Sequence, residues 1–167
     1  MIYSIKQFFR RIYNLYRWFP IIWEDQDWDQ HYIYKILKFK LENQAEYIGG
    51  NNRHLRAKRD AEIMLLCCRL IDKINNDEYM DEVHKCQEVD FSIDEHGYLQ
   101  VKTLWEDFEP YFAKYKKSHK QVLNMKKPPF NLDSDFGIAT AIGMLNHNRA
   151  KALLFRTLDR NISKWWD

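Results

Sequence analysis

At 167 residues, with 46% hydrophobic and 16% aromatic side chains, the chain can bury a substantial core and is too apolar for a disordered segment. Five glycines and four prolines are too few for an all-β sandwich with many tight turns, which leaves helix as the prior. The net charge of +2 is small for a nucleic-acid-binding domain, and no apolar run reaches the roughly 18 residues that span a bilayer.

The N-terminus lacks the h-region and small-residue cleavage site of a signal peptide. Cys67 and Cys68 are adjacent and Cys86 forms no CxxC with them, so the three thiols make neither a disulfide framework nor a zinc motif. These features predict one cytosolic domain over 1–167, mainly α: a helical bundle of about five helices with one small β-hairpin insertion.

The opening segment places Ile5, Phe8, Ile12, Leu15, Tyr16 and Phe19 at helical spacing, with Lys6, Arg10, Arg11 and Arg17 as its charges. This predicts a basic amphipathic helix over Met1 to Phe19 that docks its apolar stripe on its own domain. An anionic membrane or nucleic acid is the other surface such a helix can meet. Pro20 should stop it, having no amide to donate and disfavouring helical geometry in the residue before it.

A second helix should start within Asp25 to Asp29, where a carboxylate can cap orphan amides, bury Ile33, Ile36, Leu37, Leu41 and Ala45, and end near Tyr47 before Gly49-Gly50. The third, about Arg53 to Ile74, carries the clearest stripe: Ala57, Ala61, Met64, Cys68 and Ile71 step by four and three, joined by Leu65 and Leu70. Residues 77–95 hold eight acids against Lys85, a net −7. Alternation of Val89, Phe91, Ile93 and then Leu99, Val101 around Asp94-Glu95-His96-Gly97 predicts a β-hairpin at 88–104, which needs support from helices. Pro110 suits the start of a helix that runs to Lys126-Lys127-Pro128-Pro129, and Phe136 to Trp166 reads as one long helix or two, with Gly143 and Asn146-His147-Asn148 as the weak points.

Asp25, Asp27 and Asp29 imitate the first half of a calcium loop, but Gln30 stands where its glycine belongs and Ile36 where its glutamate belongs. If a metal site exists, Mg²⁺ or Mn²⁺ would be held by Asp25, Asp27, Asp29, His31, His54 and Asp60. A solvated, helix-capping acidic turn explains the same residues, and no metal or other cofactor is expected. No nucleophile elbow, Gly-rich phosphate loop or kinase signature occurs, so no catalytic residue is assigned.

Charge segregation is the stronger signal. Lys114, Lys116, Lys117, Lys120, Lys126 and Lys127 give the window 113–127 a charge of +6 without an acid. With Arg156, Arg160, Trp165 and Trp166 they are the candidate partner-binding residues. They suit a dipolar surface for a protein, or, with Arg149, Lys151 and Lys164 from the last basic helix, a phosphate-binding face with Tyr115 and His119 as stacking groups. Adjacent helical residues diverge by about 100°, so Trp165 and Trp166 cannot share one stripe, and one of them should meet another element or a second chain in a homo-oligomer.

Trp23-Glu24-Asp25-Gln26-Asp27-Trp28-Asp29, Lys40-Leu41-Glu42, Leu70-Ile71-Asp72-Lys73-Ile74 and the closing Asn161-Ile162-Ser163-Lys164-Trp165-Trp166-Asp167 resemble small uncharacterised proteins of tailed bacteriophages. The resemblance covers the first half and the last twenty or so residues. It implies a phage-encoded accessory protein in the cytoplasm of its bacterial host, and it brings no catalytic residues. The expectation is a non-enzymatic protein that binds and modulates a host protein, including a component of host defence. Nucleotide or nucleic-acid sequestration is the alternative, and a metal-dependent phosphoesterase the second.

Overall fold

The computed structural model describes residues 2–24, 29–51, 54–128 and 130–166. The chain is mainly helical, 73%, with a two-stranded antiparallel sheet, in agreement with the class read from sequence. Seven α-helices are found among the described residues, where about five are expected. The chain divides into two compact units, 1–68 and 69–167, where length and composition suggest one domain. Among the described residues, no helix is long and apolar enough to cross a membrane.

The first unit holds α1 (Ile2–Trp23), α2 (Gln30–Asn51) and the start of α3 (Ala57–Asn75). Pro20 does not end α1, which runs three residues further. So close to the helix end, the lost amide leaves only the Tyr16 carbonyl without its partner, and Tyr16 is an exposed position where water can take that bond. Asp29 starts α2 as the sequence suggests: its Oδ1 accepts the His31 amide at 2.9 Å.

Leu41, Ala45 and Ile48 are the buried line of α2, while Ile33 and Ile36 are exposed, contrary to the expected stripe. Gly49 and Gly50 continue α2 instead of ending it. A Cβ on Gly49 would stand 3.0 Å from the Ala61 Cβ, so this glycine serves close approach of α2 to α3. Ala57, Ala61, Met64, Cys67 and Cys68 are buried on the α3 side, and the Cys68 thiol lies 3.8 Å from the Lys38 carbonyl oxygen. The expected stepping of α3 is borne out, except that Leu65 is exposed.

The second unit continues from the end of α3 through α4 (Glu78–His84), β1 (Gln87–Ile93), β2 (Leu99–Glu106), α5 (Glu109–Lys114), α6 (Lys116–Leu123), α7 (Asp135–Asn161) and a 3-10 turn, Ile162–Trp166. Asp77 reverses the chain before α4 at φ 48, a left-handed conformation that aspartate tolerates better than most residues. The hairpin forms as expected. Phe91 faces Val101 and Ile93 faces Leu99, with a register shift after Glu88. Asp94 organises its turn: Oδ1 accepts the amides of His96 and Tyr98, both at 2.9 Å, and Gly97 adopts φ +83.

The single helix expected after Pro110 breaks at Tyr115 into α5 and α6. The last helix is unbroken through Gly143 and Asn146. A Cβ at Gly143 would come within 3.0 Å of the Met80 sulfur and 3.1 Å of the Tyr79 carbonyl, so that glycine lets α4 and α7 touch. Val83, Phe108, Tyr111, Phe112, Val122, Ala139, Ala141 and Ile142 form the core between these helices.

Candidate functional site

The lysine-rich segment owes its geometry to α6. Ser118 and Val122, four residues apart, are buried against α7, which turns Lys116, Lys117 and Lys120 outward. A hollow of about 440 Å³ opens where the α5–α6 break meets α7, lined by Lys114, Tyr115, Lys116, Lys117, Ser118 and Arg149 among others. Arg149 enters from α7. Its Nη1 donates to Ser118 Oγ at 2.7 Å and Nη2 donates to Gln121 Oε1. Ser118 Oγ in turn donates to the buried Asn146 Oδ1 at 2.7 Å. Arg149 Nη1 also lies 3.5 Å from that Asn146 oxygen, and these three partners are neutral, so among the described residues the guanidinium is oriented without a carboxylate to pair its charge.

Lys114 is different. Its Nζ donates to Glu82 Oε2 at 2.8 Å, and the same oxygen accepts the Tyr115 hydroxyl at 2.8 Å. Burial pushes the Glu82 carboxyl up, but the hydrogen bonds from Lys114 and Tyr115 outweigh it and hold the group below its ordinary range. The same hydrogen bond raises Lys114, while burial first, and then Glu82, raise Tyr115. Glu82 thereby cancels Lys114, and the free positive charge of the hollow belongs to Lys116, Lys117 and Arg149.

No family model, curated protein or solved structure matches this chain.

The other expected residues are dispersed. Lys126 and Lys127 are exposed in the turn after α6. Arg156 and Arg160 are exposed on α7, seven and eleven residues beyond Arg149, spacings that return to the same helical face. These two extend the positive stripe away from the hollow. Trp165 is corrected: it is buried at 2% exposure and cannot serve as a surface anchor. Its indole N–H has no hydrogen-bond partner among the described residues. The Trp166 side chain lies outside the described residues.

The carboxylate and histidine constellation is split. His54 Nε2 and Asp60 Oδ2 are 2.8 Å apart, whereas Asp29 is engaged in capping α2. Asp25 and Asp27 lie outside the described residues. Among the described residues no group of three or more His, Cys, Asp or Glu side chains is arranged to hold a metal ion. The cysteines are free thiols, and burial pushes the Cys67 thiol up to about 11.

Sequence reasoning missed two things. Arg149 counts in the sequence only as one cation of the last basic helix, and its place in the hollow beside Lys116 and Lys117 follows from the packing of α6 on α7, which the sequence does not show. The hairpin was expected to lean on helices, yet Phe91, Ile93, Leu99 and Val101 stand 58–73% exposed on one face. Alternation locates such a face but does not say what covers it.

Proposed function

We propose that the chain is a binding protein whose second unit grips an acidic segment of a partner protein in the hollow between α5, α6 and α7. One observation supports the reading: Lys116, Lys117 and Arg149, from two helices, converge on one concavity with no carboxylate lining it, while Glu82 is spent on Lys114 and Tyr115. Carboxylates entering the hollow would meet a forked guanidinium already oriented by Ser118 and Gln121, and two lysines free to follow them. The phage resemblance makes a host protein the partner in this reading, with a defence component as one such target.

The test is affinity purification from the bacterial host with the native chain and with Lys116→Glu/Lys117→Glu. Both side chains are exposed, so the variant should keep its circular dichroism spectrum. The bound protein should be lost from the variant and displaced from the native chain by an oligoglutamate peptide. A complex that survives both rejects the site. A phosphate-bearing ligand, nucleotide or nucleic acid, is the second reading, favoured by the Tyr115 ring beside the cations. It requires oligonucleotide affinity that falls steeply with salt.

A further inference from the structure

The first helix is packed the opposite way from a helix of a globular core. Only Arg17, Trp18 and Ile21 are half-buried among its described side chains. Trp18 meets Phe39 of α2 edge to face at 4.8 Å, and Arg17 donates to Asn43 and lies over the same Phe39 ring. At 100° per residue these contacts fall on the narrow, polar side of α1. The broad side carries Ile5, Phe8, Ile12, Leu15, Phe19 and Trp23, and each is 48–76% exposed. A contiguous apolar face of this size on the surface marks a binding site.

Charge decides the occupant. Residues 2–23 hold Lys6, Arg10, Arg11 and Arg17 and no acid. On the helical wheel Lys6 and Arg17 border one edge of the apolar arc, Arg11 the other, and Arg10 lies on the polar side between them. A second copy of α1 would set these cations against each other with no carboxylate to pair them. An anionic bilayer meets both demands: its acyl boundary takes the apolar arc, and its phosphates take the flanking cations. The indole of Trp23 suits the headgroup level and the Phe19 ring the acyl boundary.

We propose that α1 docks this chain on an anionic phospholipid surface, lying in the plane of the interface with its apolar arc inward and the bordering Lys6 and Arg11 on lipid phosphates. The helix, about 33 Å long at 1.5 Å per residue, lies on the membrane and does not cross it. Lys6 and Arg11 make no ion pair among the described residues, so both are available.

The experiment is co-sedimentation of the full chain with vesicles of phosphatidylcholine alone and of phosphatidylcholine mixed with phosphatidylglycerol. Two bordering cations at roughly fivefold each predict about 25-fold stronger binding to the anionic vesicles. Ile12→Asp should abolish sedimentation, and Lys6→Glu/Arg11→Glu should erase the preference for phosphatidylglycerol. Phe91→Ser, on the hairpin, should change neither. All these side chains are exposed, so each variant should retain the native circular dichroism spectrum. Failure to sediment with anionic vesicles overturns the proposal, as does sedimentation that Ile12→Asp leaves intact. A dimer that Ile12→Asp dissociates, without lipid binding, also overturns it by giving the face to a second copy.

Discussion

Substituting Gly137 by alanine tests the packing at the start of α7, the helix that carries Arg149 into the hollow. Ser134 caps this helix, with its Oγ accepting the Gly137 amide at 3.1 Å. A Cβ on Gly137 would lie 2.0 Å from the Asn131 carbonyl oxygen and 3.2 Å from Ser134 Oγ. The first contact is with backbone, which cannot swing away as the end of a side chain can. Alanine gains up to about 1 kcal/mol in helix propensity. Against it stand overpacking, roughly 1–3 kcal/mol, and disturbance of a cap that contributes about 1 kcal/mol. The balance is a loss of about 2 kcal/mol, or about 8–16 °C in Tm for a unit the size of 69–167. Gly50→Ala is the control, because a Cβ there meets nothing within 4 Å and should gain a few tenths of a kcal/mol. Thermal melts of both variants by circular dichroism check the pair. An unchanged or raised Tm for Gly137→Ala would refute the reasoning.

The hairpin turn should depend on pH only in acid. The Tyr98 amide, then the Gln100 side chain, hold the Asp94 carboxyl below its ordinary range. Because the folded pKa is depressed, the stabilisation is present above the unfolded value, about 3.9, and is lost as pH falls through the folded value. The side-chain carboxyl carbon resonance of Asp94 should therefore keep its ionised position down to about pH 4 and move below it; a carboxyl that titrates above about pH 4 would discredit the turn assignment. Cys67, with its thiol near 11, should resist thiol reagents at pH 8 until denaturant is added, as read by peptide mass mapping. Stoichiometric labelling of Cys67 in the native chain would contradict its burial.

Features legible in the sequence are those whose cause is local. The α3 stripe and the Asp94 to Gly97 turn each depend on residues within a few positions of one another, and both form as read. Glycine and proline misled where the deciding contact is distant. Gly49 and Gly143 read as helix breakers, yet each exists to admit a neighbouring helix, through Ala61 in one case and Tyr79 with Met80 in the other. Asn146 looked like a weak point and is instead a buried acceptor for Ser118, twenty-eight residues away. The candidate site divides in the same manner. Its lysines are a run anyone can count, whereas Arg149 and the neutralising Glu82 arrive from other helices.

Among the described residues, α1 and the hairpin each carry an exposed apolar face, and charge separates the two. The segment 2–23 that carries the α1 face holds four cations and no acid, with Lys6 and Arg11 at the two edges of the apolar arc. The hairpin face is framed by Glu88, Asp90, Asp94, Glu95 and Glu106 against a lone Lys102 over 87–106. Apolar transfer is indifferent to these frames, since burial is favoured in proportion to area whatever lies at the rim. The rim acts through the cost of approach: an anionic bilayer attracts the first face at roughly 1 kcal/mol per cation and repels the second. If area alone decided membrane contact, Ile12→Asp and Phe91→Ser would weaken vesicle binding alike. Because the frames are opposite in sign, only the change on α1 should register.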